Sequence, residues 1–530
     1  MKFKDLTGDK KEFFISTYLR KDIQYTEKIK ILVEFIGKKT DRTIQRWIKK
    51  LDLSKNKEIA EPICEEFEAA KLKTLNPTKR KFIVTWAQSN TPIHTDFFDN
   101  VEAYAEWINA EIHVIAGRYL NPTSIYGDDK KEKWDSRTIP YLDAARHNLH
   151  KYVKIMSDVK IQPTATNPIS GLESLSGSQS CIFGHPKVHF SSAPVLEGNQ
   201  FKMMVTTGAC TTENYSDSKA GKKGEFNHEL GFVIIEIKDE EIFFIRQVTA
   251  DSNGDFIDLI HEVKKEEGIS SIKRVDRISA CVLGDLHCGK HDEEVLNQTL
   301  DFLDKLEPDH VVLHDIFDGD SINHHEINDP FVQFQKEIKN KNSLGLELEN
   351  MFKVLNRFKK FKHVIIVRSN HDDFLDRWIR FENWKTQPTA KNSIQYMEFS
   401  KMLLTQYAED RVIGIIPELI SEKYTNFTPL TRMSSFLIEG WEVSQHGDLG
   451  ANGSRGSLKQ FRKLNTKIIV GHYHTPGRLD RTLAVGTSTK LRLGYNQGPS
   501  GWLNSHVLIH KNGTAQHINF NDREFTTFKI

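Results

Sequence analysis

Asp285 and His287 stand two residues apart in the run Gly284-Asp285-Leu286-His287, and four later clusters repeat the same chemistry. They are Asp315-Ile-Phe-Asp318, Asn370-His371-Asp372, His446-Gly447-Asp448 and Gly471-His472-Tyr473-His474. Carboxylate and amide oxygens with imidazole nitrogens are ligands for divalent metal ions. A single histidine is more often packed or solvated than ligating, so the weight lies in the recurrence. Five cysteines (Cys64, Cys181, Cys210, Cys281, Cys288) show no CxxC spacing, which argues against a thiolate zinc site and a disulfide framework. Any metal must be held by nitrogen and oxygen.

Each cluster follows an apolar run with the look of a strand. Residues 277–283 lead to Asp285, and a helix over Glu293–Leu306 precedes a strand, His310–His314, that ends in Asp315. Residues 363–367 end at Asn370, residues 441–445 at His446, and Lys467–Val470 at His472. In open α/β sheets ligand sites form at the carboxyl ends of strands, where loops converge.

The order D-x-H, D-x-x-D, N-H-D, H-G-D, G-H-x-H resembles the signature of the calcineurin-like metallophosphoesterases and covers residues 276–520. The resemblance implies an α/β sandwich of two mixed sheets flanked by helices. It also implies two divalent ions, Mn2+ first, with Mg2+, Fe2+ or Zn2+ as alternatives. Asp285, His287 and His474 would hold one ion and Asn370, His446 and His472 the other, with Asp315 bridging. It makes His371 the acid for the leaving oxygen and Asp318 its partner, and Asp448 is expected beside a ligating imidazole. One departure is His314 before Asp315, where the family usually has glycine.

With 38% hydrophobic and 27% charged residues, 530 residues should form two or three globular domains. Nothing approaches eighteen uninterrupted apolar residues, so no membrane association is expected and the cytoplasm is the expected compartment, host cytoplasm for a phage protein. Net charge is +1, yet residues 1–80 carry 20 lysines and arginines against 13 acids. Helical spacing of Ile29, Leu32, Val33 and Ile36, then Ile44, Trp47, Ile48 and Leu51, resembles a helix-turn-helix. Arg42, Arg46 and Lys49 would then face nucleic acid. A further helix is expected over residues 58–73 and a linker at 76–78.

Residues 80–250 read as a degenerate copy of the second half. Gln88 and Asn90 fall at Asp285 and His287, and Arg118 and Asn121 at Asp315 and Asp318. An arginine at the bridging position would repel cations. The expected organisation is therefore a helical segment (1–75), a non-catalytic metallophosphoesterase-like α/β domain (80–270) and a catalytic domain (276–530).

The fold hosts many substrates, but the basic N-terminus and the cations after His446, Arg455 first, favour DNA. The catalytic half is similar to SbcD-type repair nucleases, and the whole also looks like pre-early DNA-degradation proteins of tailed bacteriophages. The function expected is a DNase, with a small-substrate phosphatase or cyclic-nucleotide phosphodiesterase as the alternative; homo-oligomerisation is left open. Deleting residues 1–75 should weaken DNA binding and flatten its salt dependence, because fewer counterions are released. Unchanged binding across a salt titration would remove this segment from the DNA contact.

Overall fold

The computed structural model describes residues 7–19, 25–37, 64–66, 78–118, 132–383, 390–494 and 496–528, with residues 44, 47, 51, 76 and 385 between them. Near the N-terminus, helices Asp9–Leu19 and Tyr25–Ile36 bury Phe14, Ile29, Leu32 and Ile36 with Ile44 and Trp47. Arg42, Arg46 and Lys49 lie outside the described residues. The helix expected over 58–73 is corrected at its centre, where Cys64–Glu66 is a strand paired antiparallel with Lys133–Asp135. The register sets Cys64 opposite Asp135 and Glu66 opposite Lys133, so the backbone here pairs across to a distant strand and not within a helix.

The chain is mixed α/β, with several mixed sheets flanked by helices. In the second half the strand order is Phe427–Pro429, Val364–Val367, His310–His314, Ala280–Val282, Ser505–Ile509, Ala515–Asn519. The first four are parallel and the last two antiparallel. In the first half the order is Leu142–Asp143, Glu111–Gly117, Lys81–Gln88, Gly231–Ile237, Phe243–Thr249, with the same directions. The central strands are buried throughout, as in Val364-Ile-Ile-Val367, which is what parallel strands covered on both faces require. Helix Glu293–Leu306 makes the crossover between two of them. Asp292 caps it by accepting from the amides of Glu294 and Val295, and Val295, Leu296, Leu300, Leu303 and Leu306 form its buried stripe.

A ten-stranded sheet joins the halves. From one end it runs Leu437–Ile438, Trp441–Glu442, Lys467–Val470, Thr482–Ala484 and Gly477–Leu479. It continues through His189–Ala193, Lys202–Thr206, Ser180–Phe183, Val153–Met156 and Arg146–His150. Read inward from either end, the pattern is antiparallel, parallel, parallel, antiparallel. The two ends meet in an antiparallel pairing with Arg478 opposite Phe190. This is the geometry of an approximate two-fold axis inside one chain. The change of copy near residue 276 is therefore no gap between independent bodies. Side chains cross it as well: Gln516 donates to Gln247 O and Asp258 Oδ1, and Thr527 N donates to Glu236.

Three imidazoles buried in this framework, His185, His510 and His517, are held neutral by burial, which pushes His185 down to about 3 and the others to about 4 from 6.5. The unfolded chain takes up protons below 6.5 that the folded chain refuses, so their contribution is complete above 6.5 and lost as pH falls towards 4. Each should remove on the order of 1–2 kcal/mol of stability between pH 7.5 and 5. Urea unfolding at the two pH values reads this directly; equal or greater stability at pH 5 would contradict it.

Candidate metal centre

Asp285 is fixed by its backbone. Its N–H donates to Gly486 O (3.1 Å), and its carbonyl accepts from Ser488 N (2.8 Å) and Thr487 Oγ1 (3.1 Å). Gly284 permits this approach, since a Cβ there would lie 2.7 Å from Thr487 N. On the neighbouring strand end, His287 N–H donates to Asp315 O (2.6 Å). Opposite them, a Cβ on Gly471 would run into Asp285 Oδ1, so the third strand end closes on the first through a glycine.

These constraints gather the ligands. Ligand atoms of Asp285, His287, Asp315 and His474 all lie within 4.8 Å of one another. His287 Nε2 is 3.0 Å from His474 Nε2 and 3.3 Å from Asp315 Oδ2, and His474 Nε2 is 3.2 Å from Asp285 Oδ2. Two imidazole nitrogens that close, beside two carboxylates, converge on one point. His446 Nε2 lies 3.2 Å from Asp315 Oδ2 on the other side, its ring against that of His472 at 5.3 Å. His287, Asp315, His472 and His474 all have left-handed backbones, with φ of 41°, 48°, 74° and 54°. Such strain costs about 1–3 kcal/mol per residue and collects at functional sites.

Electrostatics point the same way. Both oxygens of Asp285, Oδ1 of Asp315 and Oδ1 of Asn370 are buried without a hydrogen-bond donor, which in a folded interior calls for a cation. Burial alone would raise the Asp315 carboxyl, but the His446 and His287 imidazoles hold it well below its ordinary value. The same carboxylates draw His446 up to about 9 against burial. The donor set therefore fits divalent ions.

His371 Nδ1 lies 2.6 Å from the main-chain carbonyl of Asp318, which fixes the ring with Nε2 free. The expectation for the Asp318 side chain is corrected. Its carboxylate receives His287 Nδ1 (3.0 Å) and Lys290 Nζ (2.6 Å), because His371 reaches the backbone first. Asp448 is likewise taken by Arg432 (2.7 Å), and among the described residues no imidazole pairs with it. Arg455 is exposed on the loop that folds back over Gly447, while Arg368 is tied to Asp373 and Asp376 and Trp378 is buried.

His314 belongs to the site and was visible in the sequence only as a departure. It is fully buried and its Nδ1 is 3.4 Å from His446 Nδ1. Burial pushes it down to about 4, so a neutral ring lies against His446. Glu347, which accepts from the amides of Asp320 and Ser321 and so holds the loop after Asp318, carried no motif at all.

The corresponding place in the first half is filled. Ser89 N–H donates to Gly117 O as Leu286 N–H does to His314 O, and Asn90 shares the positive φ of His287. Gln88 thus stands at Asp285, with both amide atoms buried and unpaired, and Arg118 follows Gly117. Gly184-His185 corresponds to Gly471-His472 at the end of its strand. Between them lies the indole of Trp86, 2% exposed. A Cβ on Gly184 would run into its Cδ1, and one on Gly117 would lie 2.5 Å from its Cε2 and Cζ2. Beside Gly184 the indole thus takes the place that Asp285 and His314 hold beside Gly471 in the second half, and Arg118 is half-buried.

Protein A1 of Escherichia phage T5 is 30% identical over 464 residues, covering 84% of this chain and 83% of that protein. The chain belongs to the Protein A1 family. The relationship agrees with a phage origin. No family model matches the sequence, and no solved structure matches it. Among the described residues no helix is long and apolar enough to cross a membrane.

Gly471→Ala should push the Asp285 carboxylate out of place while leaving a folded protein. We expect manganese affinity, measured by equilibrium dialysis, to fall by a factor of roughly 10–100, the range for disturbed metal surroundings. Undiminished affinity in the folded variant would exclude Asp285 as a ligand.

Proposed function

We propose that this member of the Protein A1 family is a calcineurin-like dinuclear metallophosphoesterase that cleaves DNA. The observation that carries the reading is the pocket of buried, unpartnered carboxylate and amide oxygens ringed by His287, His446 and His474. Asp285, His287 and His474 would hold one ion, Asn370, His446 and His472 the other, and Asp315 both. Two divalent ions there, Mn2+ first, would supply Lewis-acid chemistry, polarising a phosphodiester and lowering the pKa of water.

The remaining steps belong to the chain itself. His371, with Nδ1 held by the Asp318 carbonyl, presents Nε2 to hand a proton to the departing oxygen. The Asp318 carboxylate fixes the tautomer of His287, so that its Nε2 faces the ligand cluster. Lys290 neutralises Asp318 and keeps that carboxylate from competing for His371. DNA is favoured as substrate by the cation excess of residues 1–80 and by exposed Arg455 beside the His446 loop.

With manganese, the purified protein should cut linear, circular or single-stranded DNA. Asp315→Ala should abolish cleavage and lower bound metal. His371→Ala should keep its metal and lose about 10²–10⁴ in turnover, less on a substrate whose leaving group needs no proton. Hydrolysis of small phosphomonoesters with no action on any DNA would replace this reading with a phosphatase.

A further inference from the structure

A ladder of rings leads out of the metal centre. His287 meets His371 edge to face at 4.7 Å, and His371 lies 4.8 Å from Phe374. Phe374 meets His324 edge to face at 4.9 Å, and the His324 and His325 rings lie tilted against each other at 3.9 Å. His325 is exposed, so the ladder reaches solvent. Beside it runs the outer face of helix Asp372–Phe381, which begins directly after His371. Arg377 and Arg380 are exposed there and lie over the Phe381 ring at 5.5 and 5.2 Å, while Phe381 itself is 66% exposed.

The helix's acids do not neutralise this face. Asp373 is bound by Arg368 and Arg432 and Asp376 by Arg368. Neither Arg377 nor Arg380 has an ion-pair partner among the described residues. The charge of Arg377 reaches His324, so the cationic helix face and the ring ladder border one another. A protein gains nothing for its own packing by leaving a phenylalanine in water under two guanidinium groups that have no ion-pair partner among the described residues. A ligand with flat apolar faces and regularly spaced negative charges uses all of them.

We infer that the ladder Phe374, His324 and His325, with Arg377, Arg380 and Phe381 beside it, binds an unpaired nucleic-acid strand and feeds it to His371. Bases stack on the rings and the Phe381 face while the guanidinium groups take the phosphates. Paired bases cannot reach these rings, since their faces are already stacked on one another. The track therefore selects single-stranded DNA, or an end that has frayed. This inference rests on the DNase reading for what happens at the ladder's inner end, but not for binding itself.

The test separates the two. Binding of a fluorescent single-stranded oligonucleotide and of its duplex is measured without divalent ions, so that no cleavage enters. In parallel, wild-type protein with manganese is given bis(p-nitrophenyl) phosphate, which reports on the metal centre alone. Arg377→Ala with Phe381→Ala should weaken single-strand binding roughly tenfold or more and reduce its salt dependence. Duplex binding should change far less. Phe381→Tyr, which keeps a stacking face, should bind like wild type. Full single-strand affinity in the double variant, or equal losses for both DNA forms, would overturn the track. A wild-type protein that binds single strands through it but leaves the small diester intact would instead refute the catalytic reading. Both substituted side chains are exposed, and an unchanged melting temperature checks that the variant folds.

Discussion

Asp285 and Asp315 are two carboxylates buried side by side at the ends of adjacent parallel strands, and the second half is built to bring them there. Like charges in a low-dielectric interior repel, and nothing in the apolar layers around them compensates. The compensation is assembled from two further strand ends, one delivering His446 and the other His472 and His474, and from His287 on the first. Bringing so many backbones to one point leaves no room for a Cβ at Gly284 or Gly471. It also drives His287, Asp315, His472 and His474 into left-handed conformations. That strain persists because the loops are over-determined, as in the three hydrogen bonds that clamp the main chain of Asp285.

The two halves show what happens to one framework with and without that constraint. Strand order, direction and the junction pairing of Phe190 with Arg478 are common to both. At the place of the carboxylate cluster the first half has an amide, a guanidinium and the Trp86 indole, with glycines at 117 and 184 leaving the ring its space. An apolar plug needs no counter-ion and no strained ring of ligands, and the surrounding core packs directly on it. The first half therefore serves as the other side of the ten-stranded sheet.

Much of this was legible in the sequence because it is local. Apolar runs such as Val364-Ile-Ile-Val367 and His310-Val-Val-Leu-His314 announce buried strands, the Asp292-capped stripe announces the helix Glu293–Leu306, and the polar residue after each run marks the strand end. Type and order alone named Asp285, His287, Asp315 and His474, whose polar atoms the fold brings within 4.8 Å of one another. The likeness of the halves also showed in equal spacing, 30 residues from Gln88 to Arg118 and from Asp285 to Asp315.

What the tertiary structure alone decided are partnerships between elements far apart in the chain. Asp318 faces His287 and not His371 because a main-chain carbonyl, invisible as a motif, reaches the His371 ring first. Asp448 goes to Arg432, and His314 to His446, through side-chain directions that spacing along a strand does not fix. The Trp86 plug depends on two glycines, at 117 and 184, that come from different sheets. The union of both halves in one ten-stranded sheet depends on a register between Gly477–Leu479 and His189–Ala193, across nearly three hundred residues. Residue types and local periodicity determine which groups exist and on which elements they sit; only long-range packing determines which lone pair meets which proton.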